Sequence, residues 1–152
     1  MPQRRALALL LALVVLLADQ LSKNWLLHQP GADQGLPLLP GLMNLRLVWN
    51  NGAAFSLFRE GAPWLGVISL VVSVGLLVWL WRRGNHWHWL QLAAAGFLLG
   101  GSAGNGIDRW LHGAVVDGLE LVPFSFPVFN LADVAINLAV LCLLLDGLRS
   151  QR

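Results

Sequence analysis

Polar side chains are scarce in this chain, and several sit where an apolar protein needs a reason for them. Eight of its 152 residues are Asp or Glu. Two of these, Asp117 and Asp133, could work as a pair. Two carboxylates sharing a partly enclosed site cannot easily both ionise, so one pKa rises and the other falls. One acid can then take a proton from water while the other donates to a carbonyl oxygen, with no nucleophilic side chain. Taken singly, each residue is ordinary. Asp117 closes the apolar run Ala114-Val115-Val116 and reads as a loop acid. Asp133 falls in the first turn of an apolar segment, where the positive end of a helix favours a carboxylate.

Amides and a guanidinium accompany them. Asn105, Asp108 and Arg109 lie at i, i+3 and i+4 and so share a helix face, which reads either as an interfacial anchor or as part of a site. Asn130, Asp133 and Asn137 form a second stripe, expected to face a bundle interior rather than lipid. Asn130 by itself is a natural N-cap. Asp19 and Lys23, four apart, form a structural ion pair or help to shape a site; the spacing alone accounts for the ion pair.

The elements that must position these groups are membrane spans. Hydrophobic residues make up 57% of the chain and charged ones 12%, against roughly 25% charged in typical globular proteins. A helix crossing a bilayer needs about 20 mainly apolar residues. Four windows qualify, at about 6–27, 62–81, 89–107 and 129–145. Arg4 and Arg5 precede the first, Arg82 and Arg83 follow the second, and Arg149 and Arg152 follow the fourth. The positive-inside rule therefore places both termini and the 82–88 connection in the cytoplasm. Trp25, Trp64 and Trp110 then mark outer ends, and Trp79, Trp81, Trp87 and Trp89 inner ends, as amphipathic indoles prefer. Both aspartates fall at the outer face.

The first window has a rival reading as a cleaved secretory leader, with two Arg before an apolar run. A cut after Ala18 would put Leu16, which is not small, three positions back, so a retained helix is expected. Among the outer connections, 44–49 has strand character and Asn50-Asn51-Gly52 is a turn signal, so a small surface sheet is expected. Segment 114–129, with two Pro and three Phe, is expected to dip partly into the interface. No internal repeat or low-complexity tract is visible.

Other chemistries find little support. A net charge of +2 without a basic stripe argues against nucleic acid. Ser56, Ser102 and Ser125 have no well-placed His and Lys to activate them. His86 and His88 lack a nearby acid or thiol and make a weak metal site. The lone Cys142 excludes an internal disulfide.

Five segments in order resemble one family, the lipoprotein signal peptidases (signal peptidase II). They are Asp19-Gln20-Leu21-Ser22-Lys23, Asn50-Asn51-Gly52-Ala53-Ala54-Phe55-Ser56, Gly104-Asn105-Gly106-Ile107-Asp108-Arg109, Val115-Val116-Asp117 and Phe129-Asn130-Leu131-Ala132-Asp133. The resemblance covers nearly the whole chain and implies a single membrane peptidase domain over 1–152. Its fold would be all-α integral membrane, with four transmembrane helices, a small extracytoplasmic β-cradle and a short outer amphipathic segment. The family's catalytic aspartates match Asp117 and Asp133. Asn50, Asn105, Arg109 and Asn130 match positions that bind substrate or support the dyad, and Asp19, Lys23 and Asp108 match polar positions behind it.

The implied substrate is a diacylglyceryl-modified prolipoprotein, cut just before the lipidated Cys by a monomer in the bacterial cytoplasmic membrane. No metal or organic cofactor is implied, and the remaining partners are membrane lipids. Gly118 and Glu120 depart from an aromatic and an Asp common in relatives. Gly101-Ser102 replaces the more usual paired glycines, and the stretch between the two acids is shorter than in some. Two other classes remain: a proton-coupled transporter, which needs acids toward mid-bilayer, and a noncatalytic scaffold, which would tolerate Asn at both aspartates.

Overall fold

The structure, a computed structural model, describes residues 3–52, 62–83 and 87–150. Long runs of Leu, Val and Ala form helices because a helix satisfies its own backbone where no water can do so. These are α1 (Gln3–Leu27), α2 (Ala62–Arg83), α3 (Trp89–His112) and α4 (Leu131–Ser150). Three of them contain stretches long and apolar enough to cross a membrane: Arg4–Leu27, Pro63–Arg82 and Leu131–Arg149. Helix α3, about 36 Å long at 1.5 Å per residue, is more polar and occupies the centre, with α1, α2 and α4 each packed along it.

Small residues make that central position possible. A Cβ on Gly96 would lie 2.8 Å from the carbonyl oxygen of Ala8, and one on Gly100 would lie 2.6 Å from that of Ala12. On the other flank, a Cβ on Gly101 would lie 2.6 Å from the Ala132 carbonyl oxygen. Backbones this close are the usual basis of helix association in lipid, where apolar side chains gain little by leaving the tails. The outward Leu, Val and Ile residues of α1, α2 and α4 remain exposed on the bundle surface.

Three antiparallel strands, in the order β1-β2-β3, cap one end: β1 (Leu36–Leu39), β2 (Met43–Asn50) and β3 (Val115–Leu121). The strand expected at 44–49 is β2. Strand β3 corrects the reading of Asp117 as a loop acid, since Asp117 lies on a strand. Val115 and Val116 favour the extended backbone, and Asp117 pairs with Val48, Val116 with Trp49 and Val115 with Asn50. Glu120 secures the register by accepting from Asn44 Nδ2 at 3.2 Å and pairing with Arg46 Nη1 at 2.6 Å.

The helix limits also shift. Helix α4 begins at Leu131, because Phe129 is tied to β3 through its N–H to the Leu119 carbonyl at 3.0 Å. Helix α3 runs past residue 107 to His112, which keeps Asp108 and Arg109 helical, and ends on Gly113 at a left-handed φ of 71°. Six of the tryptophans expected at interfaces, Trp25, Trp64, Trp79, Trp81, Trp89 and Trp110, are exposed. Trp87 is half-buried, edge-on to Trp79 at 4.8 Å. Among the described residues no fifth, outer amphipathic helix occurs; 53–61, with Ser56, and His86 lie outside them.

Candidate active site

Sheet and bundle meet at a polar cluster that gathers residues from α1, β2, β3, α3 and α4. Asp117 comes from β3, Asn50 from the end of β2, Asn105, Asp108 and Arg109 from the last turns of α3. Asn130 and Asp133 come from the start of α4, and Asp19 and Lys23 from α1. All nine residues singled out in the sequence contribute to one connected arrangement of hydrogen bonds and charges.

Donor and acceptor roles orient the amides without ambiguity. The Lys23 ammonium can only donate, and it does so to Asn105 Oδ1 at 3.0 Å. The Asn105 NH₂ is thereby turned to Asp133 Oδ1, at 2.8 Å. Asn130 Oδ1 accepts the Asp133 backbone N–H at 2.9 Å, so its NH₂ faces the other acid, Asp117 Oδ1, at 2.7 Å. That NH₂ also reaches Asn105 Oδ1 at 3.0 Å, which joins the two amides. Asn50 Nδ2 donates to Asp117 Oδ2 at 3.0 Å, while its own Oδ1 accepts Gly52 N–H at 3.0 Å and fixes the rotamer. Each carboxylate thus meets a separate set of N–H groups, and the two sets are coupled through Asn105 and Asn130.

Burial differs between the acids. Asp117 is 2% exposed, whereas Asp133 is half-buried and its Oδ2 accepts the Asn130 backbone N–H at 3.2 Å. Enclosure pushes the Asp117 carboxyl up to about 6, and the nearby Asp133 charge adds to the rise, against the donors Asn50 and Asn130. Its titration therefore has a definite sign. Removing the neighbouring charge in Asp133→Asn is expected to move the Asp117 midpoint downward from about 6, read by carboxyl infrared or ¹³C NMR titration. An unchanged or higher midpoint would contradict the pairing. Because the folded state holds this proton above the ordinary value of 3.8, Asp117 makes folding less favourable as pH rises from about 4 to about 6.

Behind the dyad lies a buried ionic core. Lys23 Nζ bridges Asp19 Oδ2 at 2.8 Å and Asp108 Oδ2 at 2.9 Å, all three nearly inaccessible. Each of these acids also holds backbone. Asp19 Oδ1 accepts the N–H of Ala132 at 2.9 Å, and Asp108 Oδ2 accepts that of Val116 at 3.1 Å. Ala132 and Val116 immediately precede Asp133 and Asp117, so one lysine anchors the approach to both. The ion pair read from the Asp19–Lys23 spacing exists, and its extension to Asp108 makes it part of the site's support.

Arg109 is half-buried, donating to Gly52 O and Asn105 O, each at 3.3 Å, with an enclosed Nε that has no partner among the described residues. Asn137 departs from expectation: it is exposed, and its Nδ2 returns to the Asp133 carbonyl at 2.9 Å instead of lining the interior. Gln20 is a site residue that sequence reasoning missed. Its Nε2 donates to Asp108 Oδ1 at 2.9 Å and to Gly104 O at 3.2 Å. A polar amide beside Asp19 within an apolar span was the available signal. Gly104 is equally confined, because a Cβ there would lie 2.5 Å from Asp19 Oδ2. Gly118 lets β3 lie against Leu26 of α1, where a Cβ would collide. Among the described residues no cluster of three His, Cys, Asp or Glu stands ready for a metal ion.

Apolar helices surrounding a polar site under a small sheet define an integral membrane protein. Two solved bacterial membrane enzymes have this fold. One superposes with a TM-score of 0.87 at 24% identity, covering 96% of this chain and 90% of its own. The other gives 0.82 at 25% identity, covering 94% and 93%. The profile of the family described as signal peptidase (SPase) II matches residues 11–149. A lipoprotein signal peptidase of a Synechococcus species is 66% identical over 99% of this chain and 100% of its own length. That of Parasynechococcus marenigrum is 54% identical over 94% of this chain and 89% of its own. The chain belongs to the signal peptidase II family.

Proposed function

We propose that the protein is an aspartyl endopeptidase that removes signal peptides from diacylglyceryl-modified prolipoproteins, cutting just before the lipidated Cys. The observation that carries this reading is the pair Asp117 and Asp133, each held by its own amide donors and joined through Asn105 and Asn130. The pair shares one proton, and the rise of Asp117 toward 6 favours that state.

The ionised carboxylate takes a proton from water as the water oxygen bonds to the scissile carbonyl carbon. The protonated carboxyl gives its proton to the carbonyl oxygen. As the tetrahedral intermediate collapses, the C–N bond breaks and the leaving amine takes the proton first removed from water. One hydroxyl returns its proton to the other carboxylate as the C=O re-forms, which restores the one-proton pair. The titration belongs to the pair, so neither aspartate is assigned one role at rest. Arg109 and the asparagines orient the acids and the peptide backbone.

The setting proposed is a bacterial cytoplasmic membrane crossed four times, with both termini inside, the dyad at the outer face and the protein monomeric. Central packing of α3 among three apolar helices supports its being the remaining span. A site at the helix ends suits a substrate whose acyl chains stay in lipid. A transporter reading would need acids deeper in the bundle than β3 and the first turn of α4.

The test is cleavage of a diacylglyceryl-modified prolipoprotein by purified protein, beside the same polypeptide with an unmodified Cys, each with and without EDTA. Cutting before the lipidated Cys alone, unchanged by EDTA, is expected. No cleavage of a verified substrate would overturn the peptidase reading, and loss with EDTA would overturn the metal-free mechanism.

A further inference from the structure

The end of the bundle opposite the dyad carries a second feature, a crevice of about 330 Å³ between α1 and α2. Its position follows from the packing. Both helices lie along α3 but make little direct contact with each other. Near this end Leu80 and Ala8 close the gap against Leu92 and Ala95 of α3, giving the crevice an apolar floor. Leu9, Leu77 and Val78 form its walls, and Arg5, Trp81 and Arg82 its rim. The Arg5 guanidinium carbon stands 5.6 Å from the Trp81 ring centroid, a cation–π contact that restrains it.

Two properties of the rim are not explained by packing. Arg5 Nε is enclosed and has no hydrogen-bond partner among the described residues. Neither Arg5 nor Arg82 is paired with a carboxylate among those residues, although Lys23 and Arg46 are. The enclosed Nε is closed to an outside ligand, but a guanidinium with no carboxylate partner and an accessible face is well matched by a phosphate oxygen. The walls below offer no polar partner and match an acyl chain. Arg5 lies fourteen residues from Asp19 along α1, roughly 21 Å at 1.5 Å per residue, so this crevice is separate from the site of cleavage.

We propose that this crevice binds an anionic phospholipid, its phosphate between Arg5 and Arg82 and one acyl chain along Leu9, Leu77 and Val78. Basic pockets between membrane helices on the cytoplasmic side are suited to such headgroups. Only the choice of the cytoplasmic leaflet rests on the topology proposed above. The binding itself depends on neither that topology nor peptidase activity.

The test is native mass spectrometry of the purified full chain in detergent, with equal phosphatidylglycerol and phosphatidylcholine added. Wild type is expected to retain phosphatidylglycerol preferentially. The preference should fall about fivefold for each of Arg5→Gln and Arg82→Gln, the effect of roughly one surface charge. Leu9→Trp, which fills the crevice and keeps both arginines, should also lose retention, while Arg149→Gln at the exposed end of α4 should not. Equal retention of the two lipids, or an equal loss in Arg149→Gln, would reduce the site to general attraction between the chain's charge and lipid and overturn the proposal. Displacement by free glycerol 3-phosphate at the same concentration would likewise overturn it, because the acyl groove would then contribute nothing. Failure here would leave the cleavage assay untouched.

Discussion

Replacing either aspartate by asparagine is expected to abolish cleavage while leaving the protein folded. Asn matches Asp in shape, and in Asp117→Asn the new side-chain carbonyl oxygen could still accept from the Asn130 NH₂ that now meets Asp117 Oδ1 at 2.7 Å. What is lost is the shared proton. General acid and base catalysis each contribute about 10²- to 10⁴-fold. Because two acids sharing one proton act as a unit, Asp117→Asn, Asp133→Asn and the double variant should all fall by on the order of 10⁴ in kcat, with no further loss in the double. Stability should move the other way for Asp117→Asn. A carboxyl enclosed to 2% exposure and raised to about 6 is unfavourable in its ionised form. Its replacement should therefore leave the thermal midpoint in detergent unchanged or higher above that pH. A variant retaining more than a tenth of wild-type kcat would remove that residue from the dyad.

How much of this was visible beforehand divides along a physical line. Local regularities were readable: apolar windows of bilayer length, a strand from alternating types at 44–49, and an ion pair from the four-residue spacing of Asp19 and Lys23. The long-range resemblance supplied the remaining site residues as a set. Contacts between segments distant in sequence left no periodic trace. Nothing local announces that Lys23 reaches Asp108 on another helix, or that Gln20 does so beside it. Strand β3 was obscured by Gly118, a weak strand former, and by the Pro- and Phe-rich stretch after it. Its partners lie about seventy residues away in β2. Asn137 shows the converse failure. Helical spacing placed it on the Asp133 face, but that stripe turns outward within one turn, and its amide settles on a backbone carbonyl. No local pattern marked the close-approach glycines of α3; only the positions of Ala8, Ala12, Asp19 and Ala132 show why a side chain is excluded.

Lys23→Met should be the most damaging substitution outside the dyad. The side chain is 5% exposed, and its two carboxylate partners are 0% and 4% exposed. An apolar replacement fills similar volume but strands two buried negative charges. Breaking a buried pair from one side typically destabilises by about 3–5 kcal/mol, because the uncompensated charge remains. The damage should not stop at stability. Lys23 holds Asn105 Oδ1, and Asn105 holds Asp133; the two freed acids also grip Ala132 and Val116, each one residue before a dyad member. The expected result is a lowered thermal midpoint together with reduced kcat at temperatures where the variant is still folded.

Lys23→Met combined with Asp108→Asn separates charge from packing. The amide oxygen introduced by Asp108→Asn could still accept from Val116 N–H, and the one remaining acid, Asp19, can take up a proton. The double variant should therefore recover part of the stability lost by Lys23→Met, giving a coupling energy well above the roughly 0.3–0.5 kcal/mol expected of independent sites. Additive losses in that cycle would show that the Lys23–Asp108 pairing contributes no stability of its own. A Lys23→Met protein as stable and active as wild type would show that the ionic core has no part in holding the dyad.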